Sequence, residues 1–285
     1  MSHAGIRIAD SHCHAWEDWP YQPPVPDSSS RGRVEQLLHE METTGVDQAL
    51  VVCAQIDHNP ENNAYIARQV SRYPGRLHQL VDLDSEWSPG YHTPGAAGRL
   101  GQMAERWDIR GFTHYLHPDD DGSWLTSGEG QALFQEAAGR GLVASLSCYP
   151  YQQAAVREAA GRFLTVPVLC HHLGFITRGR DSAEDNLRQV LESAQVPNIY
   201  LKVSGFAYAA QLNWEYPYPE VQDLLERLYE AYGARRMCWG SDYPVVRFFM
   251  TYRQALEVVR THCKFISAED KSWILGGTLR RLLAR

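Results

Sequence analysis

Short apolar runs recur along the chain, and each is followed by a longer stretch whose apolar residues fall at helical spacing. Eight runs read as strands: 6–14, 48–54, 77–83, 109–116, 142–148, 165–172, 198–204 and 237–242. Between them, 33–44, 62–73, 130–140, 152–161, 184–194 and 219–232 carry an amphipathic helical pattern. Two further segments, 252–262 and 268–283, read as helices after the last strand. Strand–helix alternation predicts a parallel sheet covered by helices. Eight repeats favour a closed (β/α)8 TIM barrel over an open doubly wound sheet, whose glycine-rich phosphate fingerprint is absent. The fold class expected is therefore α/β, with one barrel domain over residues 1–285. Gly and Pro punctuate the joints, and the Pro/Ser-rich stretch 21–30 reads as a loop on the active-site face.

Barrel active sites lie at the C-terminal ends of the strands, so the polar residues ending each apolar run matter most. The first run ends in Asp10-Ser11-His12-Cys13-His14-Ala15-Trp16. Alternate residues of a strand share a face, so His12 and His14 point the same way, an arrangement suited to a divalent cation. The sixth run ends in Cys170-His171-His172-Leu173-Gly174. Alternation allows only one of these two histidines to face the barrel axis, and the pattern does not choose between them. The eighth ends in Gly240-Ser241-Asp242-Tyr243-Pro244. Closure of strand eight on strand one would bring Asp242 beside His12 and His14.

Composition narrows the partners. The 285 residues are 44% hydrophobic with a net charge of −7, and no basic stripe is present, which argues against nucleic-acid or anionic-membrane binding. No apolar run reaches membrane-spanning length and residues 1–8 lack a signal-peptide core, so a cytoplasmic protein is expected. Cys53, Cys148, Cys170 and Cys238 lie in apolar runs without Cys-x-x-Cys spacing and read as buried free thiols. The expected partner is a small ring-containing molecule, with homo-oligomerisation left open.

The order His-x-His, His-Leu-Gly and Gly-Ser-Asp-Tyr-Pro resembles the amidohydrolase superfamily. More narrowly it is similar to the amidohydrolase-2 branch, which holds lactonases of pyrone dicarboxylates and of sugars, and decarboxylases. His14-Ala15-Trp16, Leu201-Lys202-Val203-Ser204-Gly205 and Ile274-Leu275-Gly276-Gly277 fit the lactonase-like group. The resemblance implies catalysis by Asp242, His172, His12 and His14, with Asp242 activating the attacking water. His171 stands where relatives usually carry Asp. Strand five lacks the His or Lys of two-metal relatives. The implied cofactor is thus one divalent cation held by His12, His14 and Asp242, zinc foremost, or none.

Expected substrate contacts are Lys202, the sole lysine in a strand-like run, His114, Trp16 and Tyr208, with Arg178, Arg180 and Arg247 as carboxylate clamps. The reaction expected is opening of a lactone or similar cyclic ester. A metal-dependent nonhydrolytic decarboxylase and a catalytically silent binding barrel are the alternatives.

Overall fold

The computed structural model describes residues 5–178 and 181–284, apart from the side chain of Arg178. Eight parallel strands follow one another in chain order: β1 (Ile8–Cys13), β2 (Val46–Val52), β3 (Leu77–Asp82), β4 (Gly111–Tyr115), β5 (Val143–Ser147), β6 (Val168–Cys170), β7 (Ile199–Val203) and β8 (Met237–Trp239). Each neighbour pair is parallel. Beyond the end of β8, backbone bonds run from Asp242 N to His12 O (2.7 Å) and from His14 N to Tyr243 O (2.6 Å), joining the last strand to the first. The molecule is the expected (β/α)8 barrel.

Helices α1 (Val34–Thr44), α2 (Asn62–Arg72), α3 (Ala96–Arg106), α4 (Gly128–Arg140), α5 (Gln153–Arg162) and α6 (Ala183–Ser193) cover the outside. A short α7 (Phe206–Ala209) precedes α8 (Pro219–Tyr232), and α9 (Tyr252–Glu257), α10 (Ala268–Ser272) and α11 (Thr278–Leu283) complete the chain. The sequence pattern named no helix at 96–106. Its segment, with Gly98 and Gly101 on either side of Leu100, offers only Leu100 and Met103 as large apolar residues, too few for the periodicity to stand out. Strands expected to run through 172 and 242 stop at Cys170 and Trp239, where the backbone turns into the site.

Two apolar layers hold the barrel. The larger lies between sheet and helices and includes Leu37, Ile66, Phe112, Phe134, Leu225 and Trp239. The smaller fills the inside with alternate strand residues such as Leu50, Val52, Leu80, Val143, Leu169 and Tyr200, closed by Leu279, Leu282 and Leu283 of α11. All six cysteines are buried and free.

Candidate active site

The strand ends converge on a polar floor. Asp10 ties β1 to β8: one of its oxygens accepts from the amides of His12 (3.0 Å) and Ser241 (2.9 Å), the other from the Tyr252 hydroxyl (2.9 Å). Burial pushes the Asp10 carboxyl up to about 6. Gly240 sits against His12, and a Cβ there would lie 2.7 Å from the His12 Cβ, so only glycine allows the closure.

Asp242 has a left-handed backbone (φ 60°), which turns its carboxylate inward. Its Oδ1 faces three imidazole Nε2 atoms, of His12 at 3.5 Å, His14 at 3.7 Å and His172 at 3.9 Å. Its Oδ2 accepts from the Tyr208 hydroxyl at 2.5 Å. Burial alone would raise the Asp242 carboxyl, but His172, His14 and Tyr208 outweigh it and hold the group below its ordinary value.

Each histidine is oriented through its other nitrogen. His14 Nδ1 donates to the Val52 carbonyl at 2.7 Å, which turns Nε2 towards Asp242, and Trp16 stacks on the ring at 5.1 Å. His172 Nδ1 meets Ser204 Oγ at 3.1 Å. Gly205 beside it has φ 67°, and a Cβ there would stand 2.8 Å from His172. His12 Nδ1 lies 3.0 Å from Lys202 Nζ.

The alternation rule fails at the end of β6. Residues 172 to 175 all have positive φ, so the chain coils left-handed and both histidines reach the axis at different depths. The His171 and His172 rings lie 4.5 and 4.4 Å from that of His12. His172 opens on the cavity, while His171 is buried below, with Nε2 2.7 Å from Ser145 Oγ.

Above the floor opens a cavity of about 410 Å³, a usual size for a small-molecule site. Its polar lining includes His14, His172, Asp242, Glu86 and Ser147, and its aromatic lining includes Trp87, Tyr115, Tyr149, Phe175 and Tyr208. Among the expected substrate contacts, Trp16 and Tyr208 line it. Trp16 is fully buried, its Nε1–H donates to the Ala54 carbonyl, and one face is covered by His14.

Lys202 is not in the lining. It lies beneath the floor, donates to Ser145 Oγ at 2.7 Å and reaches His12, and burial lowers its pKa to about 7. His114 points out of the barrel because Thr113 and Tyr115 take the inward positions of β4. Its Nδ1 donates to the Leu83 carbonyl and it stacks near His92 and Trp124. Arg247 is exposed on a separate surface hollow with Glu40, away from the histidines. Arg180 and the Arg178 side chain lie outside the described residues.

Glu86, Trp87, Tyr115, Tyr149, Ser147 and Phe175 escaped the sequence reading. Tyr115 and Ser147 were within reach, since both sit at inward positions ending their strands. Glu86 and Trp87 lie in the loop after β3, where no periodicity marks a residue's direction.

His12 Nε2 is buried and without a hydrogen-bond partner among the described side chains. With His14 and Asp242 it forms a set of donor atoms within 4.8 Å of one another, and His12, His171 and His172 form a second such set. Two imidazoles and a carboxylate suit a divalent cation, so these residues fit one.

The family model described as amidohydrolase matches residues 9–285. The chain belongs to the amidohydrolase family. An L-fucono-1,5-lactonase of Burkholderia ambifaria is 24% identical to this amidohydrolase over 284 residues, covering 94% of the chain and 92% of the relative. An amidohydrolase of Burkholderia multivorans, solved with bound zinc, superposes with a TM-score of 0.76 at 18% identity over 98% and 99% of the two chains. A probable 2-pyrone-4,6-dicarboxylic acid hydrolase of Acinetobacter baumannii, solved with citric acid, gives 0.76 at 17% identity over 98% and 100%. Among the described residues, no helix of the amidohydrolase is long and apolar enough to cross a membrane.

Proposed function

We propose that this amidohydrolase opens lactones by water attack, with Asp242 as general base. The observation that carries the reading is the convergence of the His12, His14 and His172 Nε2 atoms on one oxygen of a buried, deprotonated Asp242 at the cavity floor. The lactonase relatives support the choice of ester.

Asp242 accepts a proton from water as the water oxygen bonds to the lactone carbonyl carbon. Collapse of the tetrahedral intermediate breaks the ring C–O bond, and the departing oxygen takes that proton back from Asp242. Imidazoles around the floor face the developing oxyanion in a site shielded from bulk water. Tyr208 fixes the Asp242 carboxylate through Oδ2, leaving Oδ1 for the water. A divalent cation held by His12, His14 and Asp242 would supply Lewis-acid polarisation of the carbonyl; zinc is the ion the ligand set favours.

Proton release from a lactone panel, followed with a pH indicator, tests the assignment. Asp242→Asn should lower kcat about 100-fold or more with the fold retained. Near-full turnover by this variant would remove Asp242 from the mechanism.

A further inference from the structure

The loop after β3 carries a carboxylate that the floor chemistry does not use. Glu86 is half-buried and lines the cavity. Its neighbours are tied down on both sides. Trp87 Nε1 donates to Asp82 Oδ2 at 2.8 Å and Ser85 Oγ donates to Asp82 Oδ1 at 2.5 Å. The Glu86 amide donates to the Tyr115 carbonyl at 3.0 Å, and the Tyr115 amide donates to Ser85 Oγ at 3.2 Å. The backbone of Glu86 is thus locked against β4.

Its carboxylate is not. Among the described residues no hydrogen bond or ion pair engages it, and burial pushes its pKa up, offset only by His117 nearby. A partly desolvated carboxylate that no protein donor engages keeps acceptor capacity that a bound ligand's donors can satisfy. Ionised, it offers two acceptor oxygens and no donor, a match for adjacent hydroxyls. Trp87 and Tyr115 stand beside it with ring centroids 4.7 Å apart, offering apolar faces to the C–H side of a saturated ring.

We propose that Glu86 binds ring hydroxyls and selects uncharged, polyhydroxylated lactones over carboxylated ones, a role that rests on the lactone-opening reading above. A carboxylate on the substrate would meet Glu86 as a like charge in a partly desolvated space. A hydroxylated ring would instead satisfy Glu86 while its carbonyl reaches the floor. The wall formed by the loop after β3 thus presents an acceptor, where a carboxylate clamp would present donors.

The test compares wild type with Glu86→Gln and Glu86→Ala on three substrates: a six-carbon aldono-1,5-lactone, δ-valerolactone, which lacks hydroxyls, and 2-pyrone-4,6-dicarboxylate. Melting temperatures establish that the variants are folded. Wild type should prefer the aldonolactone. Glu86→Gln should lower kcat/KM for it relative to δ-valerolactone by about tenfold or more, mostly through KM, as loss of a hydrogen bond to a charged group does. The same variant should gain on the dicarboxylate. Equal losses on aldonolactone and δ-valerolactone, or no loss on either, would overturn the role of Glu86 while leaving lactone opening intact. A wild-type enzyme inert on every lactone would overturn the parent reading, and this inference with it.

Discussion

Lys202 shows how far a single residue's role depends on depth. It was expected to touch substrate, yet it sits below the histidines and can act only through His12 and Ser145. Because burial lowers its pKa to about 7, the unfolded chain binds a proton that the folded chain releases between that value and 10.5. Stability should therefore climb as pH rises through this window. Lys202→Met keeps the length without the charge. Its melting temperature at pH 7 should equal or exceed that of wild type, and it should lose the climb between pH 7 and 9.5. Its kcat/KM should fall about tenfold or more, because His12 loses the partner that orients its ring. Activity within twofold of wild type would show that Lys202 only fills space. The residue types of the floor were legible in the sequence because His12, His14, His172 and Asp242 end apolar runs. Depth was not, since strand alternation gives a side chain's direction and says nothing of its level along the axis.

At the scale of elements, the strand ends were the least legible. The left-handed run from 172 to 175 contains three non-glycine residues besides Gly174, a conformation that propensity argues against and that tertiary contacts impose. The loop between β3 and α3 was equally opaque, and it is anchored by a histidine pair. His92 Nε2 lies 3.3 Å from His114 Nε2, and His92 Nδ1 lies 3.2 Å from Asp120. Burial and the neighbouring His114 lower the His92 pKa to about 4, outweighing Asp120. The unfolded chain protonates this imidazole near 6.5, so stability should be lost as pH falls from about 6.5 towards 4. His92→Gln should flatten the drop in melting temperature across that range. An unchanged slope would assign the loss to other groups, such as the fully buried His114.

For the whole molecule, the eightfold alternation, together with the absence of the phosphate fingerprint of a doubly wound sheet, was enough to give the barrel. The division of labour between its two ends follows from the same geometry. Leu279, Leu282 and Leu283 plug the end opposite the histidines. Leu279→Ala should cost about 2–5 kcal/mol of stability and leave kcat nearly unchanged below the melting transition. Chemical denaturation and steady-state assay on one preparation check both halves. A kcat that fell in step with stability would mean that the plug is coupled to the floor.

The seam between the first and last strands carries a consequence for how the enzyme is made. Asp10 and Ser241, which bond across it, are 231 positions apart in sequence. During synthesis, His12 and His14 leave the ribosome long before Asp242 exists. A nascent chain can fold successive strand–helix units and still hold an incomplete floor. The floor of His12, His14, His172 and Asp242 is then completed in one late step, when β8 closes on β1, so on the proposed mechanism fragments released early would be inert rather than partly active.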